Sequence, residues 1–219
     1  MTRDEEIAAR VAEVRGRIAA AARRAGRDPE SVTLVAVTKT RPAEDLLAAW
    51  RAGVTHFGEN RVQEAESKFP SVPPGGVRHL IGPVQSNKAA RAARIADVVQ
   101  TVDSPDLARR LDRAAEGKRL AVFLEVLLGD ESTKAGVTPA DLPRLVEAVR
   151  GFPSLDLRGL MAIPPPGDTR PYFQTLRQLA EVESLQELSM GMSDDFEVAI
   201  EEGATTVRIG SALFGARPA

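Results

Sequence analysis

The chain of 219 residues contains no cysteine. That absence excludes a disulfide framework, a thiolate nucleophile and a thiolate metal site. Charge of one sign is also lacking: the formal net charge is −2 and the isoelectric point about 5.8. A nucleic-acid partner held mainly by counterion release is therefore not expected. Long apolar runs are missing too. The best stretch, Leu120–Leu128, is interrupted by Glu125 and falls far short of the ~20 residues that span a bilayer. The first ten residues, MTRDEEIAAR, alternate in charge and do not resemble a signal peptide. A cytoplasmic protein engaging neither membrane nor nucleic acid is expected. Lysine and tyrosine are scarce as well. There are five lysines (Lys39, Lys68, Lys88, Lys118, Lys134) among 29 basic residues, and one tyrosine, Tyr172. A lysine standing where amine chemistry is needed is correspondingly informative.

What is present is an alternation. Ile7, Val11, Val14, Ile18 and Ala22 recur at helical spacing, ended by Gly26 and Pro29. Val32–Thr38 is then apolar and β-branched, as in a parallel strand buried on both faces. Further strands are expected near Thr55–Phe57, Val77–Ile81, Asp97–Val102, Arg119–Leu127, Leu157–Ile163, Glu187–Met190 and Thr205–Ile209. Helices are expected at Ala43–Ala52, Val62–Lys68, Asn87–Ile95, Pro105–Glu116, Pro139–Arg150, Pro171–Ser184, Asp194–Glu202 and Ser211–Phe214. Eight β/α units without an intervening linker predict an α/β fold, a closed (β/α)8 TIM barrel with an extra N-terminal helix, as one domain over 1–219. An open doubly wound sheet is the alternative, weakened because no G-x-G-x-x-G follows the first strand.

In such a barrel the active site lies at the C-terminal ends of the strands. Lys39 ends the first strand; an amine in a partly apolar mouth becomes a neutral nucleophile able to form a Schiff base. A lysine there can equally be a solvated strand cap. Asn60 follows strand two, Met161 ends strand six, and Ser189 begins the Ser-Met-Gly-Met-Ser193 run after strand seven. Ser193 is placed to cap the helix carrying Asp194 and Asp195, and Gly210-Ser211 opens the last helix beside Arg208. Loops seven and eight frequently cradle phosphate in these barrels. A Schiff-base lysine facing a phosphate cradle fits a phosphorylated aldehyde, and pyridoxal 5′-phosphate (PLP) is one. His56 and His79 lack a carboxylate pattern and are read as structural, so no metal is expected. Glu59 is either a base or a loop anchor, and Arg91–Arg94 a solvated face.

The segments Ala36-Val-Thr-Lys39-Thr, Phe57-Gly-Glu-Asn60-Arg-Val-Gln-Glu64, His79–Lys88, Gly159–Pro164, Leu188–Phe196 and Val207–Arg217 resemble the pyridoxal phosphate homeostasis protein family, single-domain relatives of the alanine racemase barrel. The resemblance implies that Lys39 holds PLP as an internal aldimine, that Ser193, Gly210 and Ser211 contact its phosphate, that Arg208 faces the pyridine nitrogen, and that Asn60 lies beside the ring. Met161 and Ser189 complete the candidate cofactor set. It further implies a carrier or regulator of PLP (vitamin B6) and amino-acid pools without established turnover, with PLP-dependent apo-enzymes as partners and a monomeric state. One departure is Leu127, where the family usually has Asn, although Glu131-Ser-Thr-Lys134 follows the pattern.

A cation opposite the ring nitrogen disfavours its protonation and weakens the electron sink. Tyr172 is expected on the barrel exterior, and the eight units leave no room for a second domain. Both arguments run against a two-base racemase. A weak one-base PLP-dependent amino-acid racemase is the alternative, and a cofactor-free aldolase using Lys39 a third reading.

Overall fold

The computed structural model describes residues 1–115, 117–129 and 135–216. The expected positions Glu116, Glu131, Lys134 and Arg217 lie outside the described residues. Helix α1, Arg3–Arg24, opens on a reciprocal cap: Thr2 Oγ1 accepts from the Glu5 N–H and the Glu5 carboxylate from the Thr2 N–H. Its Ile7, Val11, Val14 and Ile18 are buried at helical spacing. Gly26 ends it in a left-handed conformation, φ 68°.

Eight parallel strands then close on themselves in sequence order: β1 Thr33–Val37, β2 His56–Glu59, β3 Val77–Leu80, β4 Val98–Val102, β5 Leu120–Glu125, β6 Leu155–Met161, β7 Glu187–Ser189 and β8 Thr206–Ile209. β8 pairs back to β1 with Thr206 opposite Thr33. The helices between them are α2 Ala43–Arg51, α3 Val62–Lys68, α4 Ala89–Ile95, α5 Pro105–Ala114, α6 Leu142–Arg150, α7 Arg170–Val182, α8 Phe196–Glu201 and the four-residue α9 Ser211–Phe214. This is the TIM barrel expected from the alternation. α1 packs over α2, α8 and α9, and its arginines reach the same helices: Arg3 pairs with Asp45, Arg17 with Glu197 and Arg24 with Glu201.

Boundaries shift where local chemistry overrides the pattern. β1 stops at Val37, leaving Lys39 two residues beyond it in a turn. β6 runs Leu155–Met161, not Leu157–Ile163: it starts two residues earlier, with Leu155 opposite Leu120 of β5, and ends before the Pro164–Pro166 run. α6 begins at Leu142, since Thr138 and Asp141 form a turn before it. Tyr172 lies on α7, outside the ring of strands, half-buried against the core and beside Gly129.

Alternation within each strand builds two layers. Phe57, Leu80, Val99, Leu124, Leu160, Leu188 and Val207 belong to one continuous apolar cluster with the helices. The alternate positions point into the barrel, where Val98, Phe123 and Met161 form a small separate cluster. Among the described residues, no helix is long and apolar enough to cross a membrane.

Candidate cofactor site

At the C-terminal mouth, Val37, Lys39, Arg41, Asn60, Ile81, Ile163, Met192, Ser193, Asp194, Arg208, Gly210, Ser211 and Gly215 line a cavity of about 270 Å³. Six of the eight candidate residues (Lys39, Asn60, Ser193, Arg208, Gly210, Ser211) share this wall. Met161 and Ser189 do not line it: both are fully buried beneath, Met161 in the interior apolar cluster and Ser189 against Arg208.

Lys39 is half-buried, and the backbone on both sides of it is clamped. The Thr38 carbonyl accepts from Lys68 Nζ at 2.5 Å, and Thr38 Oγ1 donates to Glu59 Oε1 at 2.6 Å. On the other side the Thr40 N–H donates to Glu64 Oε1 at 2.6 Å, with Thr40 itself left-handed at φ 62°. Lys68 Nζ joins the two carboxylates, 2.9 Å from Glu59 and 2.6 Å from Glu64. Burial pushes the Glu59 carboxyl up, against the hydrogen bonds from Thr38 and Lys68. Burial also pushes Glu64 up, but Lys68 and the Thr40 N–H outweigh it and hold Glu64 below its usual range. Of the two readings of Glu59, the structure favours the loop anchor.

Asn60 follows β2 directly, and its backbone is so close to Gly82 that a Cβ there would stand 2.3 Å from the Asn60 carbonyl oxygen. Asn60 Oδ1 is buried without a hydrogen-bond partner among the described residues. Gly191, after β7, has φ 92°, and a Cβ on it would meet Ala199 Cβ at 2.5 Å. The turn it permits carries Met192 and Ser193 over the mouth.

Ser193 differs from the expectation that it caps its own helix. α8 starts at Phe196 behind Asp195, which accepts from the Met192 N–H at 2.7 Å. Ser193 Oγ instead accepts from the N–H groups of Gly210, 3.4 Å, and Ala212, 3.3 Å, at the start of α9. It thus couples loop seven to loop eight, and its hydroxyl sits among donors suited to phosphate oxygens.

Arg208 lies on the cavity wall but is otherwise buried. Its Nη1 donates to Ser189 Oγ at 2.7 Å and its Nη2 to the Ala162 carbonyl at 2.9 Å. Burial lowers its pKa to about 10, opposed by Glu125 and Asp195. Glu125, the last residue of β5, is pushed up to about 7 by burial and by Asp103, with Arg208 pulling the other way. Its Oε2 has no hydrogen-bond partner among the described residues. Glu125 and Gln100 were not singled out from sequence. Their signal was a long polar side chain in a strand made otherwise of apolar or β-branched residues. Arg41 was missed as well: it lines the mouth and donates to the Gly215 and Ala216 carbonyls at 2.6 and 2.5 Å, fastening the turn before α2 to the chain after α9. His56 and His79 hydrogen-bond one another at 2.9 Å, and no group of three or more His, Asp or Glu among the described residues could hold a metal. Leu127 is half-buried; its N–H donates to the Val137 carbonyl at 2.9 Å, and its side chain supplies no polar atom where an Asn would.

The family model for the alanine racemase N-terminal domain matches residues 10–218. The pyridoxal phosphate homeostasis protein of Escherichia coli K12 is 44% identical over 97% of this chain and 97% of its own length. That of Pseudomonas aeruginosa is 48% identical over 96% of both. Among solved structures, PipY of Synechococcus elongatus PCC7942 determined without PLP is 40% identical, covers 95% of this chain and all of its own, and superposes with a TM-score of 0.86. The form of PipY with PLP bound gives 0.81 at 38% identity and the same coverage. Alanine racemase from Corynebacterium glutamicum, at 18% identity and a TM-score of 0.68 over 98% of this chain and 61% of that one, shares the fold. By sequence and by barrel, the chain belongs to the pyridoxal phosphate homeostasis protein family.

Proposed function

We propose that this protein binds PLP at the barrel mouth and serves intracellular PLP (vitamin B6) homeostasis and amino-acid balance. The observation that carries the reading is the common cavity: the Lys39 side chain, the Arg208 guanidinium and the start of α9 open into one space. The residues present fit the group. Asn60 Oδ1 is a buried acceptor without a partner among the described residues, and Ser193, Gly210 and Ser211 gather hydroxyl and N–H donors on the side of the cavity formed by loops seven and eight.

When bound, PLP supplies an aldehyde that condenses with a primary amine and releases water. Lys39 is the amine we assign to that bond, held in place through Thr38 and Thr40. Ser193, Gly210 and Ser211 would receive the phosphate, with Arg208 on the ring side and Asn60 beside the ring. Met161 and Ser189 support this wall from below. The relatives' names and the PLP-bound form of PipY support this reading. Delivery to PLP-dependent apo-enzymes, a monomeric state and a cytoplasmic location are part of the same proposal.

The test is direct. Purified protein given PLP should acquire a visible absorption band, and borohydride followed by peptide mass spectrometry should place the cofactor on Lys39. Lys39→Ala should lose the band while keeping its fold, which a far-UV circular dichroism spectrum and a melt of the variant check. A colourless wild-type protein that takes up no PLP would overturn the reading.

A further inference from the structure

The barrel interior holds a row of polar side chains running away from the cofactor site. Arg208 Nη1 lies 2.7 Å from Ser189 Oγ, Ser189 Oγ 2.7 Å from Gln100 Oε1, Gln100 Nε2 3.0 Å from His79 Nδ1, and His79 Nε2 2.9 Å from His56 Nδ1. Ser189, Gln100 and Arg208 are buried, as is His79. His56 begins β2 and lines a second cavity, about 250 Å³, at the opposite end of the barrel with Arg15, Thr33 and Val54. The row therefore joins the two ends of the barrel through its centre.

Its hydrogens can be assigned from one end. A guanidinium only donates. Ser189 Oγ therefore accepts from Arg208 and turns its own hydrogen to Gln100 Oε1. This fixes the amide, whose NH2 then faces His79 Nδ1, and His79 Nδ1 must be bare. The His79 hydrogen sits on Nε2 and is donated to His56 Nδ1, leaving the His56 hydrogen on its own Nε2. Turning the row around would aim two donors, Arg208 and the Gln100 amide, at Ser189 Oγ and leave the serine hydrogen without an acceptor in the row. Burial, with His56 next to it, keeps His79 neutral against the pull of Asp97, and burial favours neutral His56 too.

We propose that Ser189, Gln100, His79 and His56 form a hydrogen-bond chain of single polarity that holds the Arg208 guanidinium in position against the bound cofactor, with Gln100 as the positioning residue at its centre. The inference rests on reading the mouth as the PLP site. Gln100 does not line the cavity; it acts by giving the Ser189 hydrogen an acceptor, which leaves Ser189 Oγ oriented to receive Arg208. Only a group that accepts on one side and donates on the other also keeps the hydrogen of His79 on Nε2.

The test pairs two readouts. In the wild-type protein, nitrogen-15 NMR of labelled histidine should show His79 and His56 neutral with hydrogen on Nε2. Gln100→Glu offers acceptors only, so His79 should move its hydrogen to Nδ1 or take up a second proton. Gln100→Leu should weaken PLP binding about tenfold, the effect of a buried hydroxyl losing its acceptor, and shift the visible band while borohydride still marks Lys39; Gln100→Glu, which still accepts from Ser189, should bind PLP more tightly than Gln100→Leu. Gln100→His, which keeps one acceptor and one donor, should restore the wild-type band. Hydrogen on Nδ1 of wild-type His79 overturns the polarity. Wild-type affinity and an unshifted band in Gln100→Leu overturn the positioning role. A wild-type protein with the expected tautomers that takes up no PLP overturns the cofactor reading, and the role of Arg208 with it.

Discussion

The outward faces of the strands carry Phe57, Leu80, Leu124, Leu160 and Val207 against the helices, whereas inward positions carry His79, Gln100, Glu125, Ser189 and Arg208. Both sets are buried, yet they do different work. The outer layer is held by non-directional burial, worth roughly 25 cal/mol per Å² removed from water, and tolerates exchanges of similar volume. The inner set is held by donor–acceptor matching, in which one wrong atom leaves a buried polar group without a partner. Stability therefore resides mainly outside the barrel wall, and orientation of the site inside it.

Phe173→Ala, in the outer layer on α7, should produce the largest effect. The side chain is fully buried, so about 3–5 kcal/mol of stability should be lost in denaturant melts, with PLP affinity of the folded protein unchanged. A large fall in that affinity would break the division between layers. Lys68→Met comes next. It leaves Glu59 buried without its cation and removes the anchor on Thr38, so a loss of about 3 kcal/mol is expected, here together with weaker PLP binding by titration. Stability loss without any change in binding would mean that the clamp does not position Lys39.

Glu125→Gln sharpens the comparison through pH. The folded-state pKa of Glu125 stands at about 7, above its ordinary 4.5. The folded protein thus holds the extra proton between these values, and stability falls as pH rises through that window. His79 works the other way. Its pKa is lowered from 6.5 to about 3, so its contribution is complete above 6.5 and is lost as pH falls toward 3. The two slopes oppose each other between about 4.5 and 6.5. Removing Glu125 should leave stability rising with pH there and raise it at pH 8 by up to about 3 kcal/mol. Melts from pH 4.5 to 8 check this, and an unchanged profile would contradict it. The smallest effect is expected at Arg91→Ala. Its pair with Glu66 lies on the solvated face of α3 and α4, so neither melting nor binding should move measurably.

Legibility in the sequence follows the same division. The outer layer could be read almost entirely, because apolar residues at helical spacing and β-branched runs report burial against water, a property of each segment by itself. The mouth could be read in part. Lys39, Asn60, Ser193, Arg208, Gly210 and Ser211 fall at strand ends, and the barrel brings strand ends together. Met161 and Ser189 are buried beneath that lining, since the depth of a strand's last inward residue depends on barrel stagger. Ser193 looked like the cap of its own helix because the local pattern fits; its partners are 17 and 19 residues away.

The sequence by itself determined the alternation, hence eight parallel strands wrapped by helices, and which residues stand at their C-terminal ends. Only the tertiary structure decided what those residues touch. Hydrogen bonds such as Ser189 to Gln100, 89 positions apart, depend on closure of the barrel and on the stagger between strands, which no local pattern encodes. Burial is additive along a chain and can be read from it. Directional pairing between distant strands is a property of the closed barrel, and there the Lys39 clamp and the Arg208 chain were settled.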